Sequence, residues 1–211
     1  RSNWSDAGSK VVDIDPPTVP GTPTTTTPTA DNTPEWTWGA STDAGVGLDE
    51  APYMIEWSQD EDFIINTNTD TITPATFTHT DPLAEGTWYF RVRAVDDVGN
   101  ISAYSAVGTV FVDTAAPSVP GVPGTATPTT DSTPTWTWAA SNDGAGTGLA
   151  TEGYIVEWST ASDFSVDPQT DTSTGNSFTH SVDLDDGVWY FRVRATDVVS
   201  NLSGLSSVAS V

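Results

Sequence analysis

Cysteine is absent from this 211-residue chain, so neither disulfides nor thiolate metal sites can contribute and stability must come from packing. Cations are almost as scarce: six Lys and Arg face 29 Asp and Glu, for a formal net charge of -23. Phosphate backbones are bound through a basic face, which excludes nucleic acid as a direct partner. Lys10 is the single lysine, so little on the surface neutralises the acids and self-repulsion at low salt is expected. No apolar run approaches the ~20 residues that span a bilayer, which argues against direct membrane insertion. Arg1 opens without a signal-like segment, so any export signal or anchor is expected outside this chain. His79 and His180 are the only histidines. With no Cys and no second His nearby, neither a metal cluster nor a Ser-His-Asp arrangement can be assembled, and both are expected on strands near the surface. Carboxylate pairs are plentiful, but glycoside hydrolysis needs two in a defined cleft, and catalysis is not expected.

What is present is repetition. The segment Trp88-Tyr89-Phe90-Arg91-Val92-Arg93-Ala94 returns as Trp189-Tyr190-Phe191-Arg192-Val193-Arg194-Ala195. Trp36 and Trp38 return as Trp136 and Trp138, and Tyr53, Trp57, Phe77 and His79 as Tyr154, Trp158, Phe178 and His180. A unit of roughly 100 residues can bury its own core, unlike solenoid repeats that must stack to do so. Each copy is therefore read as a domain, with boundaries at 13–112 and 113–211. Residues 1–12 contain Asn3-Trp4-Ser5, similar to Asn100-Ile101-Ser102 and Asn201-Leu202-Ser203. They are read as the terminal strand of a preceding repeat or as a strand exchanged between chains.

Helical periodicity is nowhere sustained, while short alternating runs bounded by Gly, Pro, Asp and Asn recur throughout, so the fold class is all-β. Strands are expected at residues 21–26, 35–38, 53–58, 76–79, 87–95 and 106–112 of the first repeat, with a short edge strand within 64–73. Alternation puts Trp88, Phe90, Val92 and Ala94 on one face and Tyr89, Arg91 and Arg93 on the other. The expected core is Trp38, Ile55, Trp88, Phe90 and Val92, with Trp138, Val156 or Ile155, Trp189, Phe191 and Val193 as counterparts. Arg91, Arg93, Arg192 and Arg194 are expected to pair across strands with Glu56 and Glu157. Seven or so short strands per ~100 residues is the pattern of a β-sandwich. The connector Val112-Asp113-Thr114-Ala115-Ala116-Pro117 carries proline, which fixes φ, so a short stiff linker and a fairly straight rod are expected.

Leu83, Gly86, Thr87, Trp88, Phe90, Val92, Ala94, Asp96, Gly99, Asn100 and Ser102 together resemble the signature of a fibronectin type III domain. The resemblance covers both repeats almost end to end. It implies two tandem Ig-like or fibronectin type III-like β-sandwiches joined by a short Pro-containing linker. Such domains carry one sheet of strands A, B and E and another of C, F and G. The family usually has Tyr where Trp88 and Trp189 stand, so the tyrosine-corner hydrogen bond is not expected in its usual form. The linker and the Asp-x-x-Gly-Asn turn also look like those of bacterial surface proteins with long arrays of such domains.

Three kinds of site follow. Linker, B–C loop and F–G loop gather at one pole of such a sandwich, and each carries an aspartate: Asp13, Asp43 and Asp96 in the first repeat, Asp113, Asp143 and Asp197 in the second. Converging carboxylates suit Ca2+, a hard cation taking oxygen ligands, while turn formation would explain each Asp separately. Asn3, Asn100 and Asn201 head N-x-Ser sequons for glycosylation, or simply make turns. The repeated tryptophans are framework residues or sugar-stacking platforms. The leading expectation is a non-catalytic structural or adhesive spacer of an extracellular bacterial surface or filament protein. Its partners would be neighbouring repeats, identical chains, surface glycans or host and matrix proteins. A filament subunit joined by N-terminal strand addition and a carbohydrate-binding accessory module are the alternatives.

Overall fold

Wherever turn residues bound an alternating run, the chain pairs it into an antiparallel ladder. The computed structural model describes residues 11–211. They divide into two units: the first holds residues up to Thr27 together with Asn32–Val112, the second Pro28–Asp31 with Asp113–Val211.

The first unit contains β1 (Glu35–Thr37), β2 (Leu48–Ser58), β3 (Asn68–Ile72), β4 (Thr76–Thr78), β5 (Gly86–Asp96) and β6 (Gly108–Val112). Strands β1 and β4 form one sheet, and β3, β2, β5 and β6, in that order, form the other. The second unit repeats the plan with β7 (Thr135–Thr137), β8 (Leu149–Ser159), β9 (Gln169–Ser173), β10 (Ser177–Thr179), β11 (Tyr190–Asp197) and β12 (Ala209–Ser210). Its sheets are β7 with β10, and β9, β8, β11 and β12.

Two strand boundaries differ from expectation. The strand expected at 21–26 is reduced to one bridge, Thr24 to Thr37, because Pro20 and Pro23 deprive that stretch of backbone donors. Strand β2 starts five residues before Tyr53 and carries Pro52 in its interior. A register shift between Leu48 and Tyr53 accommodates that proline, since no ladder hydrogen bond is required of it there.

The core is built from the inward faces of both sheets. Trp36 lies flat on Phe90, with centroids 4.9 Å apart at 16°, and Trp38 meets Tyr53 edge-on at 5.5 Å. Ile55, Phe90, Val92, Val110 and Val112 are fully shielded from solvent. In the second unit Val156, not Ile155, faces inward beside Phe191 and Val193. Trp88 is only partly buried against the core, and Trp189 lies outside the second buried cluster. The reason is that each indole is drawn to the sandwich corner: Trp88 Nε1 donates to Ala84 O at 2.8 Å and Trp189 Nε1 to Asp185 O at 2.9 Å. The corner hydrogen bond is thus made by an indole in place of a phenol.

The histidines are not at the surface. His79 and His180 directly follow β4 and β10 and are 5% and 4% exposed. They sit under aromatic rings and accept indole hydrogen bonds, which offset the cost of burying their ring nitrogens. On the outer face Arg91 pairs with Glu56 and Arg192 with Glu157, each at 2.6 Å. Among the described residues Arg93 and Arg194 make no such pair; Arg93 instead lies over the Tyr104 ring at 4.7 Å.

Candidate functional site

Each sandwich brings its three singled-out aspartates together at one pole. Asp13 lies ahead of β1, Asp43 lies in the β1–β2 loop, and Asp96 is the last residue of β5. The second unit places Asp113, Asp143 and Asp197 in the same way. In each trio the carboxylates offer oxygens that all lie within 4.8 Å of one another. Asp96, Asp113 and Asp197 are almost wholly buried, whereas Asp13, Asp43 and Asp143 are half-buried.

The backbone around each trio is arranged as a cradle of N–H donors. Asp13 Oδ2 accepts from Val46 N at 2.9 Å, and Asp43 Oδ2 from Gly45 N and Gly47 N at 2.9 and 2.8 Å. Asp96 Oδ1 accepts from Val98 N and Asn100 N, and its Oδ2 from Asn100 Nδ2 at 2.8 Å. Burial works to raise the Asp96 carboxyl, but the bonds from the Asn100 side chain and from the Asn100, Val98 and Gly99 backbone together hold it below the ordinary value. In the second unit Asp113 Oδ2 is bonded by both Thr147 N and Thr147 Oγ1, at 2.6 and 2.7 Å. Val46 stands at that point in the first unit, so the hydroxyl contact belongs to the second alone.

Glycine closes the loop against the acids. A Cβ at Gly45 would lie 1.9 Å from Asp13 Oδ2, and one at Gly146 would lie 2.5 Å from Asp143 Oδ2 and 2.8 Å from Asp113 Oδ2. Any side chain there would drive the carboxylates apart. Thr147, Gly45 and Gly146 were not legible as site residues, although a glycine two or three positions after a loop aspartate is a turn signal that could have marked the latter two.

Asn100 and Asn201 fasten the linkers. Asn100 Nδ2 donates to Asp13 O at 3.2 Å as well as to Asp96, and Asn201 Nδ2 donates to Asp113 O at 2.9 Å as well as to Asp197. The amide nitrogen that glycosylation would modify is therefore the one holding the linker carbonyl. Asn3 and Trp4 lie outside the described residues. Among the described tryptophans Trp36, Trp38, Trp136 and Trp138 are buried, while Trp57, Trp88, Trp158 and Trp189 are partly exposed.

The paired sandwiches, with β3–β2–β5–β6 facing β1–β4, define the chain as two tandem fibronectin type III-like domains. The FN1–FN3 domains of chicken CNTN1 share this fold with a TM-score of 0.53 over 93% of this chain and 67% of that one, at 15% identity. No family model matches the chain. By sequence it is similar to exoglucanase B of Cellulomonas fimi, 36% identical over 151 residues that make up 69% of this chain and 13% of that protein. It is also similar to chitinase A1 of Niallia circulans, 33% identical over 95% of this chain and 26% of that protein. Exoglucanase A of Cellulomonas fimi is 40% identical over 57% of the chain and 14% of its own length. The chain thus spans about a quarter or less of these relatives.

Proposed function

We propose that these two domains are a non-catalytic spacer within an extracellular protein, and that their aspartate trios hold Ca2+. The observation that carries the spacer reading is the match to chitinase A1, which takes up 95% of this chain yet only 26% of that protein. A segment of that size, folded as two sandwiches packed through their centres, suits a part that sets distance between working domains of a polysaccharide-degrading enzyme or a surface protein. The test is to incubate the purified chain with crystalline cellulose and with chitin. A spacer releases no sugar and stays in the supernatant. Retention in the pellet would establish the carbohydrate-binding reading in its place, and sugar release would refute both.

Calcium deepens the role by fixing each linker to its own domain. Ca2+–oxygen distances run from about 2.3 to 2.6 Å, so two ligands on opposite sides of one ion sit about 4.8 Å apart. The oxygens of each trio lie within that span of one another. The cation would also relieve repulsion between carboxylates that burial has taken out of water. Binding to the folded form alone raises the melting temperature by mass action. Expected is a rise of several degrees in Ca2+ that NaCl at matched ionic strength does not reproduce, and that Asp113→Asn removes from the second domain only. Equal responses to the two salts would leave the aspartates as turn residues.

A further inference from the structure

In each sandwich one imidazole closes the smaller sheet onto the core. Trp36 Nε1 on β1 donates to His79 Nε2, just beyond β4, at 3.2 Å. Trp136 Nε1 on β7 donates to His180 Nε2 at 3.3 Å. The ladders these bonds reinforce are short, three residue pairs between β1 and β4 and three between β10 and β7. The imidazole rings lie edge-on to Trp57 and Phe77 at 5.3 and 4.9 Å, and to Trp158 and Phe178 at 5.0 and 5.2 Å.

An imidazole that accepts at Nε2 must carry its proton on Nδ1 and be neutral. Protonation turns Nε2 into a donor aimed at the indole N–H, so the bond is lost and a charge is left among aromatic rings. We propose that the His79–Trp36 and His180–Trp136 pairs are acid latches, whose protonation releases β1 from β4 and β7 from β10 while the four-stranded sheets persist.

The surroundings give a proton no stabilising partner. The rings facing His79 come from β1 (Trp36), β2 (Trp57), β4 (Phe77) and β5 (Phe90), and none of them titrates in the acid range. Nearby charges face away. Glu35 flanks Trp36 on the exposed side of β1, Glu56 and Arg91 pair on the outer face, and Asp81 is exposed in the following loop. In the second unit the facing rings are Trp136, Trp158, Phe178 and Phe191, Thr135 replaces Glu35, Glu157 pairs outward with Arg192, and Asp183 is exposed. Burial alone pushes the His79 imidazole down to about 4, and His180 downward for the same reason.

Because the closed form holds a proton less readily than the open one, stability of the latch is full above the ordinary histidine value of 6.5. It falls as pH drops from there towards about 4 and is constant below. Across that window the open-to-closed ratio for the first unit rises about tenfold per pH unit.

With only two histidines in the chain, their imidazole Cε1–H resonances can be followed individually by proton NMR on the full chain, with His79→Gln giving the assignment. Expected are a midpoint near 4 for His79 and one below 6.5 for His180. Exchange of the Trp36 and Trp136 indole protons, corrected for intrinsic rate, should accelerate as pH falls while amides of β2 and β5 stay protected. Gln at position 79 can still accept from the indole but cannot titrate, so it should abolish the acid response of the first unit alone. Midpoints near 6.5 with unchanged indole protection would overturn the latch, as would an identical acid response in His79→Gln. Should that variant fail to fold, the wild-type titration and exchange decide the matter.

Discussion

The two domains share a plan but differ in the residues that fill it. In the first, β5 pairs with β6 from Gly86↔Val112 to Phe90↔Gly108, and Leu83, Val110 and Val112 complete the buried cluster. In the second, β11 begins at Tyr190 and pairs with β12 at Tyr190↔Ser210 and Phe191↔Ala209, with Trp189 and Val211 exchanging one further pair of hydrogen bonds. A second contrast lies where the last strand crosses the core. Gly108 in the first domain is replaced by Ala209 in the second, and a Cβ at Gly108 would lie 2.2 Å from Pro23 O and 2.9 Å from Trp36. A third lies on the outer face, where Tyr104 bonds Glu56 and carries Arg91 at 4.0 Å over its ring, while its counterpart Leu205 is simply exposed. The comparison teaches that both domains keep the tryptophan–phenylalanine stack at their centre while the residues at the strand crossing and on the outer face vary around it.

The sharpest way to break that comparison is to remove the stack. Trp36→Ala and Trp136→Ala each delete an indole that is 1% exposed and should cost about 3–5 kcal/mol. Calorimetry should show the transition of the altered domain lost and the other unchanged; a single transition that moves as one would mean the domains are not independent. Next comes Gly108→Ala, expected to cost about 1–3 kcal/mol in denaturant unfolding because the new methyl meets fixed backbone. The reverse exchange, Ala209→Gly, should cost under about 1 kcal/mol, the backbone entropy alone. Equal penalties would show that the second domain is packed as closely there as the first. The smallest effect is on the outer face. Tyr104→Phe should destabilise the first domain by about 1 kcal/mol through loss of the hydrogen bond to Glu56. Leu205→Phe, which adds a ring without a hydroxyl, should leave the second domain within about 0.5 kcal/mol.

Much of the fold was legible because alternation and repetition say the same thing. Phe90, Val92 and Ala94 face inward and Arg91 outward to Glu56, as a period of two requires. The aspartate trios were legible because linker, loop and strand end converge in any sandwich of this topology. What was hidden depended on partners that a pattern does not reveal. A histidine between threonines at the end of a strand looks solvated, and only the indole of Trp36 arriving from another strand explains its burial. Trp88 looked like core by phase, yet the carbonyl of Ala84 draws its polar edge outward. The strand expected at 53–58 begins at Leu48 instead, because a register shift lets it run through Pro52. Asn100 and Asn201 read as turn or sequon, and their hold on the linker carbonyls lies far away in the chain.

That last hold has a kinetic meaning. Asn100 reaches Asp13 across 87 positions, and Asn201 reaches Asp113 across 88. Contacts so distant close late, since loop entropy must be overcome before they form, and chains dominated by them fold slowly. Each linker is thus locked only once the β5–β6 loop or the β11–β12 loop of its own domain is in place, and until then two similar sequences can exchange strands.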